Sequence, residues 1–81
     1  MRDRVRAIVG SLNLLPVPLE GLSDRDNLFD AGMTSFGSVQ LMLAMEEEFD
    51  IEFPNNLLTR KTFATIEGLM AALEQIVPEK V

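Results

Sequence analysis

The sequence predicts an all-α fold, a small bundle of three long helices and one short one with a long first connection. Three observations carry that expectation. Apolar residues recur at helical spacing in three separate stretches. Capping hydroxyls stand where two of those stretches begin, at Thr34-Ser35 and at Thr65. The only strand-like alternation, Ile51 and Phe53 around Glu52 before Pro54, is short and has no partner strand, so it reads as an extended connector.

Val5, Ile8, Val9 and Leu12 keep the i, i+3, i+4, i+7 spacing, which predicts a first helix over about residues 3–13. Leu14-Leu15-Pro16-Val17-Pro18-Leu19 follows, and its two prolines forbid a regular helix. From there to Thr34 no periodic element fits. Yet Leu14, Leu15, Val17, Leu19, Leu22, Leu28 and Phe29 are apolar, so this connection is expected to lie across the helices rather than hang free. The second helix is expected to begin at Thr34-Ser35 and to run to about Glu48. A short third helix is expected from Asn55 to Arg60, with Leu57 and Leu58 facing inward. Thr65 is expected to cap a last helix whose apolar stripe is Ile66, Leu69, Met70 and Leu73, and which Pro78 ends.

Eighty-one residues make one domain, expected over residues 1–81 and monomeric, with a thin core. Cysteine and histidine are both absent, which removes disulfides, thiolate metal sites, the usual zinc ligand and the usual general base. The longest apolar runs, Leu41–Met45 and Leu69–Leu73, hold five residues each, far below the roughly 20 that cross a bilayer. A soluble, cytoplasmic protein is expected. Its net charge of −6 is unevenly placed. Three arginines against Asp3 leave Met1–Leu19 at +2, whereas Glu20–Pro54 sets Arg25 against nine acids, a net of −8. Such a middle repels nucleic acid and anionic membranes and attracts basic protein surfaces.

The second helix is apolar on two sides. At about 100° per residue, Ser38, Leu41, Met42, Met45 and Phe49 share one face, a normal core stripe. Phe36, Val39 and Leu43 fall on another, beside Ser35, Glu46 and Glu47. The long connection could cover this second stripe. A chain of this length cannot surround a helix, however, so partial exposure is expected, as a contact surface of one serine, a few apolar side chains and flanking carboxylates.

Ser35 does not read as a nucleophile, because there is no histidine and the two lysines, Lys61 and Lys80, lie on distant segments. Glu46, Glu47, Glu48 and Asp50 are fanned around a helix rather than converged on one ion. Enzymatic activity in its own right is therefore not expected, nor is a metal site. A serine at a helix N-terminus can simply be a cap. The same place also favours an attached phosphate, through free N–H groups and the positive end of the helix dipole, and it is open to a second enzyme.

Leu28-Phe29-Asp30-Ala31-Gly32-Met33-Thr34-Ser35, followed by Val39, Leu41, Ala44-Met45-Glu46-Glu47-Glu48-Phe49-Asp50 and Pro54, resembles an acyl carrier protein over nearly the whole chain. In that family the matching serine, here Ser35, carries 4'-phosphopantetheine transferred from coenzyme A by a magnesium-dependent phosphopantetheinyl transferase. The resemblance thus implies a reactive sulfur on the prosthetic group, whose thiol holds the cargo as a thioester. It also implies a docking surface of Met33, Thr34, Phe36, Val39, Leu43, Glu46 and Glu47 around that serine.

Departures from the family pattern narrow the expectation. Thr34 stands where Asp is usual before the serine, Phe36 where Leu is usual after it, and Gly37 and Gln40 where acids are common. Steering by the basic enzymes of fatty-acid synthesis should therefore be weak. Asp30-Ala31-Gly32-Met33-Thr34-Ser35-Phe36 is similar to stand-alone bacterial aminoacyl carrier proteins, which are loaded by ligases resembling class II aminoacyl-tRNA synthetases. That similarity implies a small amino acid as cargo. The alternatives are a carrier of fatty-acid, polyketide or other acyl chains, served by acyl-transferring enzymes, and an unmodified helical interaction module.

Overall fold

The computed structural model describes residues 2–76. Helix α1 covers Arg2–Ser11, α2 Ser35–Phe49, α3 Arg60–Ala64 and α4 Ile66–Ile76, so the expected all-α architecture of three long helices and one short one is present. The predicted stop at Pro78 lies outside the described residues.

Helix α1 buries Val5 and Val9 and ends two residues earlier than its apolar spacing predicts. Asn13 takes a left-handed backbone with φ of 53°, a conformation that asparagine tolerates, and its N–H reaches back to the Gly10 carbonyl at 3.4 Å. Leu12 still packs against the core from this turn.

The long connection does lie across the helices. Leu28 is completely buried, and Leu14, Leu15, Leu19, Leu22 and Phe29 pack against the core from its edge. Val17 departs from the expectation and stays exposed. Polar bonds tie the same segment down. Arg6 of α1 donates to the Leu19 and Leu22 carbonyls, both at 2.9 Å, and to the Asp24 carboxylate at 2.7 Å. Asp24 also pairs with Arg2, and its carbonyl accepts the Glu67 N–H at the start of α4 at 2.9 Å. The Leu28 N–H bonds to the Ala64 carbonyl at the end of α3.

The third helical region is displaced from where the sequence put it. Asn55–Leu57 is a single tight turn, and the short helix proper starts at Arg60, where the Thr59 hydroxyl caps it by accepting the Thr62 N–H at 3.2 Å. Leu57 is half-buried, but Leu58 is exposed rather than inward-facing. Thr65 caps α4 as expected, accepting the Gly68 N–H at 2.8 Å. Ile66, Leu69 and Leu73 are buried with Ala72, while Met70 sits at the core's edge. Phe53 from the extended connector meets Phe63 of α3 edge-to-face, 5.3 Å between ring centres.

Candidate functional site

Gly32, Met33, Thr34 and Ser35 build the entrance to α2. Gly32 turns the chain with φ of 121° and lies against Pro16, so close that a Cβ there would sit 2.5 Å from the proline ring. Met33 then enters the core. Thr34 is the cap: its backbone is extended, and its hydroxyl accepts the Gly37 N–H at 2.9 Å. Of the two hydroxyls that could have capped the helix, Thr34 takes the role and Ser35 is left spare.

Ser35 is the first residue of α2 and is exposed, and its hydroxyl has no hydrogen-bond partner among the described residues. The first turn behind it carries no acidic residue, so no side chain of that turn offsets the positive end of the helix dipole. Ser35 lines a cleft of about 310 Å³ between α2 and α3, walled by Phe29, Val39, Met42, Leu58 and Phe63.

The second apolar stripe of α2 is open. Phe36 is 72% exposed, Val39 48% and Leu43 55%, so the long connection does not cover them. Beneath the stripe, Leu41 and Met45 are fully buried, with Ser38, Met42 and Phe49 partly so. One expected surface residue is corrected. Met33 is only 4% exposed, because the turn at Gly32 directs it into the core, where its Cγ lies 3.3 Å from the position a Cβ of Gly37 would take. Gly37, read in the sequence only as a lost acid, is thus buried in tight packing under the cap.

The acids at the far end of α2 have separate employments. Glu46 is half-buried, and its carboxylate accepts the Phe53 N–H at 2.9 Å, pinning the connector. Glu48 pairs with Arg4 at 2.7 Å, and that guanidinium also lies 4.7 Å from the Phe49 ring centre. Glu47 is exposed and has no such partner among the described residues. Sequence reasoning missed the α3 side of the cleft altogether. Phe29, Leu58, Thr59 and Arg60 line it with Ser35, and the usable signal was the Thr59-to-Thr62 capping spacing, which moves the helix start to Arg60.

Residues 3–73 match the family described as the phosphopantetheine attachment site. The chain is 45% identical over 80 residues to an aminoacyl carrier protein of Agrobacterium fabrum, covering 99% of this chain and 96% of that one. It is 38% identical over 60 residues to a D-alanyl carrier protein of Lactobacillus acidophilus, covering 70% and 76%. Among solved structures it is similar, with a TM-score of 0.86 and 46% identity over 91% of this chain and 99% of the other, to a carrier protein from Agrobacterium tumefaciens. That carrier was crystallised with an engineered Bradyrhizobium japonicum glycine:carrier protein ligase and AMP. A glycylated carrier protein in complex with the Bradyrhizobium japonicum ligase matches with a TM-score of 0.75 at 28% identity, over 88% and 95% of the two chains.

Proposed function

The chain belongs to the phosphopantetheine attachment-site family, and on that premise we propose that it holds a small amino acid as a thioester on a 4'-phosphopantetheine arm at Ser35 and presents it to partner enzymes. The observation that carries the reading is the spare hydroxyl of Ser35, exposed at the start of α2 because Thr34 does the capping. These residues fit the group. The hydroxyl is open to a transferase, which brings the magnesium and base this chain does not offer. The positive end of the α2 dipole favours a phosphate there, and the cleft gives the arm a wall to lie against. Once attached, the arm supplies the thiol that holds the aminoacyl group.

The chain's own part is presentation, as a carrier and not a catalyst. Phe36, Val39 and Leu43 offer an apolar contact beside Ser35, with Thr34 at its edge and Glu47 as an exposed charge. Glu46 contributes from the side, already holding the connector, and Met33 supports the surface from beneath. An amino acid as cargo is supported by the 45% identity to an aminoacyl carrier protein and by the glycylated structural relative. The partners are then a phosphopantetheinyl transferase and an amino acid:carrier protein ligase, acting in the cytoplasm where coenzyme A and ATP are at hand. No helix among the described residues is long and apolar enough to cross a membrane.

Incubation with coenzyme A, magnesium and a promiscuous transferase should add one phosphopantetheinyl mass. Ser35→Ala should fold with an unchanged helical spectrum and gain nothing. The arm-bearing form, given ATP and a glycine:carrier protein ligase, should accept glycine or alanine and not a fatty acid. A wild-type chain that stays unmodified while a control carrier is converted would end the reading.

A further inference from the structure

Among the described residues, the cleft beside Ser35 holds one charged side chain, Arg60. Four of the chain's five arginines, Arg2, Arg4, Arg6 and Arg25, each meet a carboxylate, whereas Arg60 has none at ion-pair distance among the described residues. Its guanidinium lies instead 3.8 Å from the centre of the Phe29 ring, itself part of the cleft wall. Stacking on an aromatic face removes much of an arginine's freedom before any ligand arrives and leaves its N–H edge open to an anion. On the facing wall, the first turn of α2 carries no acid that would compete for the guanidinium.

Resting on the reading that Ser35 carries the arm, we propose that Arg60 is a positioning residue that pairs with the phosphodiester at the arm's root and lays the arm along the α2–α3 cleft. A phosphodiester on the Ser35 oxygen keeps one negative charge at neutral pH and two free oxygens, the geometry that a planar guanidinium meets with two parallel N–H bonds. The ligand therefore complements Arg60, the one charged group that the described residues bring to the cleft. Val39, Met42 and Leu58 then offer apolar surface to the uncharged part of the arm. Ordering of the arm thus begins at its attachment point and does not need a partner enzyme.

Phosphorus-31 NMR of the full arm-bearing chain tests this. Arg60→Gln should shift the phosphodiester resonance from its wild-type position at low salt. Molar salt should move the wild-type resonance to meet that of Arg60→Gln, which itself should barely respond. Arg60→Lys should restore part of the shift, since it returns the charge without the planar fork. In the wild-type protein alone, the Arg60 Nε–H should exchange with water several-fold more slowly after the arm is attached than before, a readout that holds even if a variant folds poorly. Identical phosphorus shifts and salt responses in wild type and Arg60→Gln, with no slowing of Nε–H exchange, overturn the proposal while the added mass leaves the attachment reading standing. Absence of the added mass overturns both.

Discussion

At Gly32 the backbone φ of 121° and the nearby Pro16 ring leave no room for a side chain. Gly32→Ala combines a disfavoured backbone with a clash and should cost about 2 kcal/mol or more. In a chain of this size that lowers Tm by roughly 10 °C, measurable by thermal circular dichroism. Thr34 should matter less, because its role is one hydrogen bond to the Gly37 N–H. Thr34→Ala should cost about 1 kcal/mol in denaturant unfolding, and Thr34→Ser should restore most of it. If Thr34→Ala is neutral while Ser35→Ala is destabilising, the assignment of cap and spare hydroxyl is reversed. The pairing of a capping threonine with a following free serine was readable in the sequence only as a choice between two hydroxyls. Backbone placement decides it, because the cap must stand outside the helix with extended φ and ψ.

At the scale of the element, α2 serves the core with one face and the solvent with another. Leu41 and Met45 are completely buried, while Phe36 and Leu43 are largely open. Truncating an open residue leaves the core intact and removes area only from the proposed partner contact. Phe36→Ala and Leu43→Ala should each leave Tm within about 2 °C of wild type. Each should also raise the KM for the carrier in ligase-catalysed aminoacylation by roughly tenfold, with kcat largely kept. Loading kinetics indistinguishable from wild type would remove these residues from the proposed docking surface. The two-sided periodicity was legible in the sequence because it is a property of one helix. The short helix was not, because Asn55–Leu57 and Arg60–Ala64 are each too brief for periodicity to resolve and only the cap at Thr59 separates them.

Across the whole molecule, α1, the long connection and α4 meet at Asp24. Its carboxylate takes Arg2 and Arg6, and its carbonyl takes the Glu67 N–H. The Arg2 hydrogen bond, helped by Arg6 and opposed by partial burial, holds the Asp24 carboxyl below the ordinary aspartate value, while the same contact raises Arg2. A carboxyl depressed in the folded state stabilises the fold above its unfolded value of about 3.9, and that contribution is lost as pH falls through the folded value. Asp24→Asn should therefore have a lower Tm than wild type at pH 7, and the gap should close as the pH is taken below about 4. Parallel Tm curves for the two proteins from pH 7 down to pH 2.5 would refute this linkage. The arginine-rich start of the chain read as a patch of positive charge. In the structure Arg6 acts as a strut, since it meets two carbonyls and a carboxylate that come from 13 to 18 residues further along the chain.

The sequence by itself determined what depends on neighbours within a turn or two: three amphipathic helices, the capping hydroxyls, the two faces of α2 and the serine at its head. Those features follow from helical geometry and local hydrogen bonding, which act over three or four residues. Only the tertiary structure decided that Met33 turns inward while Phe36 stays open, that Leu58 and Arg60 stand across a cleft from Ser35, and that the unperiodic connection is clamped at Asp24. These outcomes depend on which distant segments fill the space around a residue, and packing of that kind leaves no period in the chain.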